Sequence, residues 1–168
     1  MKRTPRGTPV GVDDPLEVVE RCDWVTGDGR CRFAIEHAER NPLFAERRRR
    51  DDYRCPYADQ DAVWADCEHF RSRDGRRRCT RCGLPARPIA HDPDARPLLE
   101  AHHVAYGEGG DGEVTVVLCR WCHARVHAGE ARVDDDAEPA TEALAALERR
   151  RDRERAETFR PAADRLEE

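Results

Sequence analysis

Two runs of apolar positions stand out against a polar chain. Residues 98–104 (Leu-Leu-Glu-Ala-His-His-Val) and 114–118 (Val-Thr-Val-Val-Leu) read as strands, the second being largely β-branched. A glycine-rich loop, 106–112, separates them. Residues 120–128 follow as a short helix, which Gly129 stops. The local order is therefore strand, loop, strand, helix. Upstream, Asp14 and Pro15 suit the start of a short helix over 15–21. Asp23 to Gly29 carry turn chemistry between Cys22 and Cys31. Residues 32–50 read as helical with an interruption at Pro42. Trp24, Phe33, Tyr53, Trp64 and Phe70 are expected to form a small core. Downstream, 140–159 is rich in helix formers, with a narrow apolar stripe of Leu144 and Leu147 that docks one edge. This pattern divides the chain into a disordered lead (1–14), a cysteine-rich region (15–70), a strand-loop-strand-helix module (71–132) and a charged C-terminal helix (133–168).

Composition adds a constraint on stability. Of 168 residues, 38% are apolar and 39% charged, so the core is thin for the length and needs metals or disulfides to support it. No apolar run approaches the roughly 20 residues of a membrane helix, and no apolar leader is visible, so a cytoplasmic protein is expected. In a reducing compartment the eight cysteines read as metal ligands before disulfides. Of the 30 basic residues only Lys2 is lysine, which points to GC-rich coding and, with the Asp-rich surface, to a haloarchaeal source. Charge is uneven. Residues 71–132 hold 11 arginines against 8 acidic residues, while the flanking regions are net acidic. The one basic segment suits an anionic partner.

That segment also holds the chemistry. Cys79-Thr80-Arg81-Cys82 and Cys119-Arg120-Trp121-Cys122 are two CxxC pairs, and four such thiolates can bind one tetrahedral zinc. No βαβ pattern surrounds either pair, which argues against thioredoxin-like redox use. His123 and His127 are four apart on the helix, so both rings lie on one face and can share a divalent metal. His102 and His103 are consecutive on a strand, so they point to opposite faces and have different jobs. Arg120 and Arg125 are helix-borne candidates to hold phosphate oxygens. Cys22, Cys31, Cys55 and Cys67 remain. Their spacings match no regular zinc knuckle, so a second zinc and buried free thiols are both open readings.

Taken together, Cys79-x2-Cys82, Leu99-Glu100-Ala101-His102-His103, Gly109-Gly110 and Leu118-Cys119-x2-Cys122-His123-x3-His127 resemble the HNH endonuclease family over about 50 residues. Similarity to haloarchaeal HNH-like zinc proteins extends over most of the chain. The resemblance implies an α+β fold built on a metal-stabilised ββα-metal module. It implies His103 as the general base, His102, His123 and His127 as catalytic-metal ligands, and Cys79, Cys82, Cys119 and Cys122 as a structural zinc site. The implied cofactors are structural Zn²⁺ and a catalytic divalent ion: Mg²⁺ or Mn²⁺ first, then Zn²⁺ or Ni²⁺. The implied partner is DNA. One departure is Val114, which stands where the family has an Asn that ties the loop. The chemistry fits the residues: imidazole titrates near neutral pH, and a divalent metal neutralises phosphoryl charge. Two functions are therefore expected to compete: DNA phosphodiester hydrolysis, and zinc-dependent nucleic-acid or protein binding without catalysis.

Overall fold

The computed structural model describes residues 1–4, 6–19, 21–58, 67–86, 97–106 and 113–158. The two expected strands are present as β2 (Leu99–Tyr106) and β3 (Glu113–Cys119), following a short β1 (Ser72–Arg73). β2 and β3 pair antiparallel, with Leu99 opposite Cys119 and His103 opposite Thr115. The register slips between His103 and Ala105, leaving Val104 as a bulge that bends β2. β1 pairs parallel to β3, so the order is β1-β3-β2 and β2 is an edge strand of this sheet.

Among the described residues there are four α-helices, of which the one that follows β3 packs on β2 and β3. Pro42, expected to interrupt a helix, instead opens one. α1 (Arg32–Glu36) ends before it, and α2 (Pro42–Arg49) starts on it, capped by the Asn41 side chain accepting from the Phe44 N–H. Asp14 and Pro15 open only a single 3-10 turn, Pro15–Val18. α3 (Arg120–Ala128) leaves β3 directly and stops at Gly129, whose φ of +77° is left-handed. α4 (Thr141–Thr158) buries Ala143, Ala146, Leu147 and Arg150, a stripe at helical spacing. Leu144 is 45% exposed, so the docking face is set by small alanines rather than by the two leucines.

The expected disordered lead is a correction. The N-terminal residues form a strap whose Arg3 and Pro9 make an antiparallel bridge, with Val10 and Val12 only 2% and 1% exposed. The Val133 N–H donates to the Gly11 carbonyl, which fastens the strap beyond the end of α3. Two buried valines bring enough apolar area to order a short segment that composition alone marks as a tail. The strap, the cysteine-rich region and the sheet all contribute to one hydrophobic cluster.

The aromatic core is close to expectation. Trp24, Phe33 and Phe70 are buried, and Tyr53 is partly so. Trp64 lies outside the described residues. Phe44, which was not expected, is buried edge-on to Phe33 at 5.9 Å, and His69 stacks on Phe33 at 3.9 Å. Arg71 lies 3.7 Å over the Trp24 ring. Residues 71–78, which lead into the strand-loop-strand-helix module, are tied into the sheet. The Asp23 carboxylate accepts from Arg71 and Arg73, and the Val117 N–H donates to Asp74 at 3.0 Å.

The strap yields a stability prediction. Gly11 has φ +82°, and a Cβ there would lie 2.6 Å from Val126 Cγ1 and 2.9 Å from Val133 Cγ2. Gly7 has φ +83° with open space around it. Gly7→Ala should cost about 1 kcal/mol for the left-handed backbone, and Gly11→Ala about 3 kcal/mol because overpacking is added. Urea denaturation of both variants checks this. Equal losses would mean that the strap does not press on α3.

Candidate metal centres

Cys79 and Cys82 sit on a tight turn that follows β1. The Cys79 N–H donates to the Leu84 carbonyl, the Gly83 N–H donates back to Cys79, and Gly83 takes φ +68°. Cys119 ends β3 and caps α3, its sulfur accepting from the Cys122 N–H. All four cysteines are buried, and their sulfurs lie within 4.8 Å of one another. Cys82 and Cys119 are 3.8 Å apart. That is far beyond a disulfide bond and close to the ~3.8 Å edge of a tetrahedron with Zn–S bonds of ~2.3 Å. This group could hold a structural metal such as zinc.

Electrostatics agree with that reading. Hydrogen bonds with Cys119 and Cys122 hold the Cys79 thiol far below its ordinary value, while hydrogen bonds with Cys122 and Cys79 drive Cys119 far up. Burial pushes Cys82 up to about 12. One thiolate is accommodated at the expense of its neighbours, and a dication would allow all four. Arg81 already donates to Cys122 Sγ at 3.7 Å, a charge suited to an anionic thiolate cluster.

A second group forms between the sheet and α3. The structure brings together His102 from β2 with His123 and His127 from α3, each offering a nitrogen within 4.8 Å of the others. His102 is 1% exposed, and its Nε2 lies 2.9 Å from the Val10 carbonyl. A carbonyl only accepts, so Nε2 carries the proton and Nδ1 the lone pair. That Nδ1 is buried with no hydrogen-bond partner. His123 Nδ1 lies 2.7 Å from the Glu100 carboxylate, which leaves its Nε2 as the lone-pair atom, 2.9 Å from Nε2 of His127. Burial pushes His102 down to about 4 and also lowers His127, which favours the neutral, ligating form. A buried orphan acceptor among three converging imidazoles fits a divalent metal.

His103 is not part of this group. It lies on the other face of β2 and lines an open cleft of about 600 Å³ with Ala101, Thr115 and Arg73. Its Nε2 is 3.4 Å from the Glu113 carboxylate. Arg120 stacks on Trp121 at 4.2 Å, near the His123 side of α3. Arg125 is about 200° around the helix from His123 and is within 3.9 Å of Glu130, so it points away from the histidines. Val114 is buried.

A family model described as a family of unknown function (DUF7097) matches residues 1–165. The chain belongs to this family. No curated protein and no solved structure matches it. The DUF7097 match runs across both cysteine-bearing regions, so the strap, the aromatic core and the metal-ligand groups belong to one family unit.

Two contributors to the histidine group were not anticipated. Glu100 is two residues before His102 and therefore on the same face of β2, so strand alternation carried the signal. The Val10 carbonyl comes from 92 residues upstream, and nothing local announces it. In the DUF7097 chain Glu100→Gln should weaken divalent-metal binding at the histidines by about 10–100-fold, because the carboxylate orients His123. Zinc on the cysteines should stay unchanged. Calorimetric titration of the zinc-loaded protein with Ni²⁺ or Mn²⁺ checks this, and an unaltered affinity would remove Glu100 from the site.

Proposed function

We propose that this DUF7097 chain is a metal-dependent endonuclease that hydrolyses DNA phosphodiester bonds through an HNH site. The observation that carries this reading is the convergence of His102, His123 and His127 around the unpartnered Nδ1 of His102. A structural group of four cysteines supports it by fixing the start of α3. A divalent ion held by the three histidines would neutralise charge on the phosphate and on the leaving oxygen. Imidazole donors favour Zn²⁺ or Ni²⁺ over Mg²⁺ or Mn²⁺ in such a site.

The protein's own residues supply the rest. His103 takes the proton of the attacking water. Glu113, 3.4 Å away, holds the ring and stabilises the imidazolium that results. His102 and His103 face opposite sides of β2, but β2 is an edge strand of the sheet. His102 is buried, so a DNA backbone laid along that edge would meet His103 directly and the histidine group only through a metal that it holds. Arg73, beside His103 in the cleft, and Arg120 on α3 are the cations placed to contact phosphates.

Two observations favour a second reading, a zinc-dependent DNA- or protein-binding module without catalysis. The would-be base lies across the strand from the metal ligands, and Val114 occupies the place of the Asn that ties the loop in HNH enzymes.

Cleavage of supercoiled plasmid separates the two. Purified protein should nick it in the presence of Mg²⁺, Mn²⁺, Zn²⁺ or Ni²⁺, and increasing salt should suppress the reaction. His103→Ala should slow nicking by about 10²–10⁴-fold, and His123→Ala should abolish it. If folded, zinc-replete protein cleaves with none of these ions, the binding module is the correct reading. If His103→Ala cleaves like the parent, the base is another group.

A further inference from the structure

Four cysteines remain outside the two groups above, and they come from four separate turns. Cys22 precedes the turn at Asp23. Cys31 caps α1 without a side-chain hydrogen bond to the helix. Cys55 follows the bridge between Arg30 and Arg54, and Cys67 precedes the turn into Phe70. The Cys31 N–H donates to the Tyr53 carbonyl and the Cys55 N–H to the Gly29 carbonyl, which draws those two turns together. All four cysteines line one cavity of about 10 Å³ beneath Trp24 and Phe44. That is space for about one water-sized sphere. All eight cysteines of the chain are free thiols.

The same cavity holds two unanswered donors. Trp24 is 93% buried by its 7% exposure, and its Nε1–H has no hydrogen-bond partner. Arg48 Nε is buried without one as well, although its guanidinium lies 5.0 Å over the Phe44 ring. A neutral thiol is a weak acceptor and a poor partner for an arginine. Four thiolates around a dication carry a net charge of −2 and accept N–H groups readily. Arg81 stands in that relation to Cys122 in the first group. Asp52 and Tyr53, which lead into Cys55, both take positive φ, at 49° and 60°. Such backbone persists where surrounding structure holds it.

We propose that Cys22, Cys31, Cys55 and Cys67 bind a second structural zinc ion as a tetrathiolate, with Trp24 Nε1–H and Arg48 Nε–H donating to its sulfurs. This site is independent of the endonuclease reading. Among the described residues, no three of these sulfurs lie within the 4.8 Å that defines the other two groups. Zinc therefore contracts the cavity as it binds. The ion does for this aromatic core what the first group does for α3, replacing apolar area that the chain lacks.

Zinc per chain is measured by plasma mass spectrometry on full-length protein carrying His123→Ala and His127→Ala, which removes the histidine group from the count. Two zinc ions are expected, falling to one when Cys55→Ser is added. One ion before that change would overturn the proposal. Alkylation of the parent protein with iodoacetamide, read by mass spectrometry, decides the case even if Cys55→Ser does not fold. Cys55 and Cys67 are partly exposed, so they should resist while zinc is bound and react once a chelator removes it. Immediate reaction in zinc-loaded protein would overturn the proposal. Resistance that only a reductant relieves would identify a disulfide and overturn it equally.

Discussion

The junction between β3 and α3 is the constraint on which this molecule depends. Cys119 is at once the last residue of the strand, the cap of the helix and a member of the four-cysteine group. Its backbone turns from extended to helical within one residue, with no loop to absorb error. The direction of α3 is therefore set by the strand and by the sulfur geometry together. His123 and His127 follow within two turns, so their approach to His102 inherits that direction. A thin hydrophobic core could not hold a nine-residue helix at a defined angle by packing alone. A metal held by the four converging thiols would, because the free energy of binding it becomes free energy of folding.

The second dependence runs in the opposite direction along the chain. The histidine group is closed from behind by the strap, whose Val10 carbonyl takes the proton-bearing side of His102. Glu100 does the same for His123. These two imidazoles are thus each turned by a partner on the far side, so that their lone pairs face the third histidine and one another. The two groups of ligands share α3, but they are organised differently. Each pair of cysteines is set by its own tight turn, and the fold brings the two pairs together across 37 residues. The histidines converge through tertiary contacts, and their geometry is only as good as the packing of the strap.

Much of this was legible in the sequence because the signals were local. β-branched residues at 114–118, a helix ending on Gly129, two CxxC pairs and an i, i+4 histidine pair each report on their immediate neighbourhood. The matching elements lie where those signals put them. The capacity of the four cysteines to hold a metal was also readable from spacing. The misses share a cause. The strap looked like a tail because Gly11, between its two valines, finds its neighbours at Val126 and Val133. Phe44 escaped notice because Pro42 read as a break rather than as the first residue of a helix. Arg125 was grouped with Arg120 by sequence proximity, while helix rotation sends it to the other side. Val104 bulges within β2, a feature that no residue type there declares.

One consequence follows from where the strap finds its partners. Synthesis proceeds from the N-terminus, so the strap is made before the parts it rests on. It rests on α3 and on Val133, which are made more than a hundred residues later. On the ribosome, the Val10 carbonyl has no His102 to receive and the two valines have nothing to cover. The first dozen residues must wait, uncommitted, while nearly the whole chain emerges. Long-range closure of this kind is slow, and it leaves the histidine centre among the last features of the molecule to mature.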